Sequence, residues 1–397
     1  MDSVYENSEL TIIAAGGPDE SYGLPGVGGG ARTYQPIAET ESMRILSTMP
    51  DPHDSITKST WSTRGWTFQE GVLSRRRLVF TKEQVYFECK AMNCHESITC
   101  SLNELHTKDR ASMQNYLRAG LFNRSSSEAF GGFRIENLSP LRIYLRYLYS
   151  VEQYSSRLLK FDQDSLNAFG GIIREFERRK NPVSQLWGLP YMDLKDPDEA
   201  SLYFHYGLTW KHTNNCWDGS CMPCRRSEFP SWSWAGWAGG AVYFHEKPKY
   251  FISYVRSLAF EQELGPDFNF SQTVGPRSIV RLSSFSPRII RLQARIIPPT
   301  AFSYNDSLDT WRMFDFPAKL TLSQGPASPH KFAEELKYGE KWQCIFWASI
   351  PGEVIIMVLE SSGGISSRAG LFTLTSFLQL RKRWDYELVD WVTIKIA

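Results

Sequence analysis

The chain lacks long apolar runs, an excess of charge of either sign, and the even, dense cysteine pattern of a small secreted domain. Nowhere in its 397 residues does an apolar stretch approach the ~20 residues of a membrane-spanning helix, so no membrane association through a helix is expected. The opening Met1-Asp2-Ser3-Val4-Tyr5-Glu6 has neither a basic n-region nor an apolar h-region, which argues against a secretory signal there. A formal net charge of +1 supplies no basic field, so nucleic acid is not an expected partner. The short basic runs Arg75-Arg76-Arg77 and Arg381-Lys382-Arg383 are bordered by hydrophobic residues and read as solvated strand or turn ends. Seven cysteines, an odd count, point to reduced thiols in a cytosolic or nuclear compartment, and a cytoplasmic placement is expected. No internal repeat of fixed period is present.

What the chain does have is apolar mass. Hydrophobic residues make up 42% and aromatic residues 14%, enough for a substantial core. The length allows two or three domains. Met1–Asn7 reads as the last turns of a helix, and Leu10–Ala15 as a short apolar strand closed by Gly16-Gly17-Pro18. A strand of that kind either lies at a sheet edge or requires preceding βα units. The glycines between Gly16 and Gly30 form neither a G-x-x-x-x-G-K-[ST] loop nor a strand–G-x-G-x-x-G–helix unit, so they read as a loop.

Ser55–Val72 reads as a single helix with a start signal at Ser59 or Ser62. On it Trp61, Phe68 and Val72 share a face, and Glu70 falls roughly 180° from Trp61, with Trp66 only ~40° from Glu70. The spacing therefore predicts a core stripe and, opposite it, a Trp66–Glu70 pair. Arg77–Phe80 and Gln84–Cys89 form a hairpin signal. Residues 101–180 read as mainly helical, most clearly from Asp164, with Leu166, Phe169, Ile172, Ile173 and Phe176 on one face. Beyond about residue 200 the character turns to β. The expected strands are Tyr250–Val255, Ile279–Leu282, Ile289–Ile297, Cys344–Ile350, Val354–Leu359 and Trp391–Ile396.

Several strings resemble a known family. Arg64-Gly65-Trp66-Thr67-Phe68-Gln69-Glu70, then Leu73-Ser74-Arg75-Arg76, then Val85-Tyr86-Phe87-Glu88-Cys89, resemble the C-terminal signature of the fungal heterokaryon-incompatibility (HET) domain. Tyr5, Asn7, Thr11-Ile12-Ile13-Ala14-Ala15 and Gly23-Leu24-Pro25-Gly26 resemble the segment before it. Tyr154-Ser155-Ser156-Arg157, Asp164–Gly170 and Pro230-Ser231-Trp232-Ser233-Trp234-Ala235-Gly236-Trp237 resemble sequence that follows the domain in many members. Two usual features do not occur, namely a strand motif around a Trp-Gly pair and an Asp-x-x-Cys-Ile-Asn-Gln segment. The resemblance thus implies the second half of such a domain with its downstream region.

The resemblance also implies a fold and a chemistry. The expected class is α+β or α/β: a partial, TIR-like α/β domain over residues 1–105, a mainly helical segment over 106–180 and a β-rich region over 181–397. HET domains are thought to be related to Toll/interleukin-receptor (TIR) folds, some of which cleave the N-glycosidic bond of NAD. Their essential glutamate follows a tryptophan by four positions on a helix, as Glu70 follows Trp66. The resemblance therefore implies Glu70 as the catalytic carboxylate and Trp66 as a substrate-binding neighbour. A carboxylate there would stabilise the oxocarbenium-like charge that builds as nicotinamide leaves, and an indole would offer a stacking surface. The implied role is non-self recognition leading to programmed cell death. The implied partners are other incompatibility proteins or a second copy of the chain, with NAD as the candidate small molecule and no cofactor.

Other constellations are weaker. Cys89-x4-Cys94-His95-x4-Cys100, and Cys216-x4-Cys221-x2-Cys224 with His212 nearby, lack the paired C-x2-C spacing of structural zinc, and no metal is expected. Trp232 and Trp234 alternate after Pro230 and read as a strand packed into a core. Ser231 and Ser233 lack a G-x-S-x-G elbow, and Asp306/Asp309 and Glu334/Glu335 read as solvated carboxylates.

Overall fold

The computed structural model describes residues 2–89, 92–99, 101, 120–122, 138–194, 196–213, 223–244, 250–261, 268–269, 287–314, 316–375 and 391–397. The chain divides into two compact units. The first comprises Met1–Asn137 with Arg157–Glu175, and the second Leu138–Ser156 with Phe176–Ala397.

Unit 1 is α+β. Its helices α1 (Asp2–Asn7), α2 (Pro52–Thr57), α3 (Thr60–Thr63) and α4 (Thr67–Leu73) accompany a four-stranded sheet. Among the described residues the strands of this part of the chain are β1 (Thr11–Ala14), β2 (Ile37–Glu39), β3 (Arg44–Leu46), β4 (Arg76–Phe80), β5 (Val85–Cys89) and β6 (Asn93–His95). The sheet runs β1-β4-β5-β6, with β1 parallel to β4 and the other pairs antiparallel. Parallel neighbours need a long crossover, and the chain between β1 and β4 supplies it through α2–α4. The predicted hairpin is the β4–β5 pair. The first strand lies at a sheet edge: Ile13 points inward and Ile12 outward, 56% exposed. β2 and β3 form a separate hairpin whose residues are all exposed.

The single helix expected over Ser55–Val72 is instead three short ones. Asp51 caps α2, with Pro52 in its first turn. Ser59 caps α3 by accepting from the Ser62 N–H at 3.2 Å, and the Ser62 hydroxyl turns back onto the Thr57 and Ser59 carbonyls. Such local side-chain bonds compete with a continuous helical ladder. The second break, at Arg64-Gly65-Trp66, is held from outside the segment. The Gly65 N–H donates to the Leu158 carbonyl at 2.8 Å, and Leu158 returns a bond to Thr63 at 2.7 Å. The expected helix from Asp164 is likewise two pieces, Asp164–Asn167 and Gly170–Glu177, although Phe169, Ile172, Ile173 and Phe176 are all buried as the spacing required. Much of the expected helical segment, 102–119 and 123–137, lies outside the described residues.

Unit 2 opens with the helix α5 (Pro140–Ser155), the hairpin β7 (Val183–Leu186) and β8 (Leu189–Met192), and α6 (Pro197–Gly207). Two small pairs follow, β9 (Lys211–His212) with β12 (Ala241–Val242), and β10 (Cys224–Arg225) with β11 (Trp237–Ala238). An eleven-stranded sheet makes up the rest. Its strands are β13 (Ile252–Ser253), β14 (Arg256–Glu261), β15 (Phe268–Asn269), β16 (Ile289–Ile297), β17 (Phe302–Asn305), β18 (Thr310–Met313), β19 (Phe316–Leu322), β20 (Trp342–Ile350), β21 (Glu353–Ser362), β22 (Ile365–Thr375) and β23 (Trp391–Ile396). The strand β23 pairs with β16 over six residues and meets β22 at Ser366, so β16-β20-β21-β22-β23 closes on itself. Closure removes two sheet edges. The helix α7 (Pro329–Tyr338) seals one side with Phe332 and Leu336, packed among Trp311, Met313, Trp342 and Phe372.

The sequence pattern found β16 and β23 with their observed bounds, and the cores of β20 and β21. Tyr250–Val255 is mostly irregular backbone around the two-residue β13. Ile279–Leu282 lies outside the described residues. Trp232–Gly236 is not a strand but a tight turn and a single 3-10 turn, capped by the Ser233 hydroxyl, and only Trp237 enters a strand, β11. Its indoles are buried as expected, yet they follow no alternation. Trp232 donates to the Arg288 carbonyl at 2.9 Å, Trp234 to Gly188 at 2.7 Å and Trp237 to Ser231 at 2.8 Å. Buried indole N–H groups need such acceptors, and a turn provides directions that a strand does not.

Candidate functional site

Glu70 sits in the first turn of α4, half-buried in unit 1. Two side chains hold its carboxylate. Tyr5, on α1, donates its hydroxyl to Oε1 at 3.2 Å, and Trp61, on α3, donates its indole N–H to Oε2 at 2.9 Å. Burial, with the Glu70 charge beside it, pushes the Tyr5 phenol up to about 12. Both donors are neutral, so they orient the carboxylate without supplying a counter-charge.

The indole expected beside Glu70 is therefore not the one that engages it. Trp61, placed opposite Glu70 by an unbroken helix, reaches the carboxylate because the chain turns at Arg64-Gly65-Trp66. Trp66 occupies the N-cap position of α4, half-buried, and its indole N–H is 3.3 Å from Asp164 Oδ2. The arrangement thus contains two Trp–carboxylate pairs, Trp61–Glu70 and Trp66–Asp164, on one short helical segment. Tyr5 and Trp61 were missed as site residues. The signal that could have found Trp61 is the serine pair Ser59 and Ser62, whose capping chemistry interrupts the helix and voids the angular argument.

The surroundings fix this segment. Gln69 donates to the Ala168 carbonyl at 2.8 Å and accepts from the Gly171 N–H at 3.2 Å. Phe68 stacks on Phe169 with 6.3 Å between centroids, and the Arg157 guanidinium covers the Phe68 ring at 4.8 Å. Arg174 pairs with Asp2 at 2.5 Å and holds that carboxyl down at about 2, which fastens α1, and with it Tyr5. A rigid carboxylate flanked by aromatic rings can stabilise positive charge that develops on a bound molecule.

A second polar cluster lies on the β4-β5-β6 face. Glu88 is fully buried and accepts from the Tyr86 hydroxyl at 2.7 Å and from the Leu121 and Phe122 N–H groups at 2.7 and 3.0 Å. His53 Nε2 lies 3.2 Å from the same Tyr86 hydroxyl. The Glu88 carboxylate is held by donors from within unit 1, as in a structural network, although Arg77 Nη1, Asn93 Oδ1 and His95 Nε2 on the same face are buried with no partner among the described residues.

Strand alternation separates the would-be zinc ligands. Cys94 lies opposite Phe87 and His95 opposite Tyr86, on opposite faces of the sheet. Cys224 is exposed, while Cys100, Cys216 and Cys221 lie outside the described residues. Among the described residues no group of three or more His, Cys, Asp or Glu side chains could hold a metal ion. No helix among them is long and apolar enough to cross a membrane.

The family model described as Heterokaryon incompatibility protein (HET) matches residues 1–70. The match covers the N-terminal α+β segment up to Glu70 and leaves the remainder of the chain unassigned. No curated protein and no solved structure matches the chain.

Proposed function

We propose that this chain acts in heterokaryon incompatibility, and that Glu70 with Trp66 derives from a TIR-like, NAD-cleaving centre. The observation that carries the reading is the half-buried Glu70 carboxylate, fixed by neutral aromatic donors within the segment that resembles the HET domain. In such a centre the carboxylate faces the ribose as the bond to nicotinamide lengthens, and the indole of Trp66 stacks on the leaving ring. The test is direct. Purified full-length chain is incubated with NAD and nicotinamide is measured by chromatography, with Glu70→Gln and Trp66→Phe in parallel. Release by the native chain, abolished by Glu70→Gln, supports the centre; release that persists in Glu70→Gln removes Glu70 from the mechanism.

A second reading follows from the edge strand. Among the described residues β1 pairs with β4 alone, and Leu10 and Ile12, just before and within that strand, are exposed. An open edge flanked by apolar side chains templates another strand. In this reading the chain pairs with complete HET proteins or with itself and does no chemistry. Ile12→Lys places a charge on that edge while leaving the buried Ile13 face untouched. Loss of self-association or of co-purification with a complete HET-domain protein, together with no nicotinamide release from the native chain, favours pairing.

A further inference from the structure

In unit 2 a fully buried arginine stands without a carboxylate partner among the described residues. Arg368 lies on β22 next to a bulge: Val358 pairs with Gly370 and Leu359 with Arg368, which makes Ala369 the extra residue. Bulges re-aim the side chains beside them. Here the guanidinium turns inward, its carbon 3.6 Å from the centroid of the Trp210 ring, and one Nη donates to the Trp210 carbonyl. Its Nε and its other Nη are buried with no hydrogen-bond partner.

Two more side chains carry unmatched groups: His212, beside the same indole, and Tyr243. The His212 ring lies 5.3 Å from Trp210, and its Nδ1 is 3.0 Å from the Gly240 carbonyl oxygen. Burial drives the His212 pKa down to about 3, so the ring is neutral, Nδ1 carries the proton and Nε2 presents a lone pair. That Nε2 is buried and unmatched. Tyr243 follows directly on β12, whose Ala241 and Val242 pair with His212 and Lys211; continuing the register brings Tyr243 level with Trp210. Its hydroxyl is also buried without a partner. The charge of Arg368 is felt at both Tyr243 and His212. Glu152, the carboxylate felt at Tyr243, accepts from the Tyr243 backbone N–H at 2.6 Å.

The other fully buried arginine differs. Arg77 stands directly across the ladder from Glu88, whose charge favours the charged guanidinium. An uncompensated buried cation is costly, and so is each unmatched polar atom around it. Water could satisfy all four atoms yet leaves the charge unopposed. A halide opposes the charge yet offers His212 no proton.

We propose that Arg368, Tyr243 and His212 form an internal site for a small oxyanion that retains at least one O–H, of the bicarbonate or dihydrogen-phosphate type. Its oxygens accept from Arg368 and Tyr243, and its O–H donates to His212 Nε2. This site is separate from Glu70 and stands whether or not the NAD reading holds.

The experiment is thermal unfolding of the full chain in sodium bicarbonate near about pH 7.5 and in inorganic phosphate near about pH 6.5, each against sodium chloride of equal ionic strength. The oxyanion that fits raises Tm by at least about 2 °C over chloride, and the comparison of arms identifies which. Arg368→Met and Tyr243→Phe lose that rise. If Arg368→Met fails to fold, Tyr243→Phe still decides. An equal Tm in oxyanion and chloride for the native chain overturns the proposal. So does an undiminished rise in Tyr243→Phe, or a crystal structure grown in the oxyanion that shows water alone at Arg368 Nε.

Discussion

Tyr5, Trp61 and Glu70 show how little of a site is fixed by one residue's type. A glutamate in the first turn of a short helix is ordinarily solvated. Here two neutral donors orient it, and its charge acts in turn on the phenol. Glu70→Gln therefore lowers the Tyr5 ionisation from about 12 toward the ordinary 10, leaving the part due to burial. NMR titration of ring-labelled tyrosine, with Tyr5→Phe to assign the signal, reads this directly; an unmoved Tyr5 would mean that burial alone sets it. Asp2 provides a second residue-scale test. Its folded pKa, about 2, lies below the ordinary aspartate value of 3.8, so its contribution is full above about pH 5 and is lost as pH falls through 4 toward 2. Arg174 is 48% exposed, so solvent screens the pair, and Asp2→Asn should cost only about 1 kcal/mol at neutral pH. Urea unfolding at pH 7 and near pH 2 checks it, since the native–variant difference must shrink at the lower pH.

At the scale of elements, the break between α3 and α4 is what brings Trp61 to Glu70. Gly65 makes that break possible, because a Cβ there would lie 2.5 Å from Leu159 Cδ2 and 3.4 Å from the Leu158 carbonyl oxygen. Gly65→Ala should destabilise the chain by about 1–3 kcal/mol, the usual cost of overpacking. It should also weaken the Trp61–Glu70 contact, seen as a change in tryptophan fluorescence that Trp61→Phe abolishes. A stable Gly65→Ala with unchanged fluorescence would show that the break does not depend on that close approach. Strands were more legible than helices in this chain. Alternation in Ile289–Ile297 and Trp391–Ile396 is strict enough for local pattern to carry their bounds. The helices α1–α4 are only four to seven residues long, and the ends of pieces that short are set by caps and by distant carbonyls.

For the molecule as a whole, acid stability reads on the core of unit 2. His205 and His212 are buried and neutral, their pKa values driven down to about 4 and about 3 by burial. Between pH 6.5 and those values the unfolded chain binds protons that the folded chain does not, so stability falls as pH is lowered through that window. His205→Gln should flatten the decline measured by urea midpoints between about pH 7 and pH 4.5; an unchanged slope would relieve His205 of that role. The sequence by itself determined the apolar content, the β character of the C-terminal part and several strand bounds. Those properties rest on composition and on periodicities of two to four residues, which neighbours along the chain define. Only the tertiary structure decided that Trp61 rather than Trp66 meets Glu70, that β23 closes a ring between β16 and β22, and that Arg368 faces Trp210 from inside a bulge. Each of these depends on a contact between segments far apart in the chain, and such contacts override the local angular repeat from which a sequence is read.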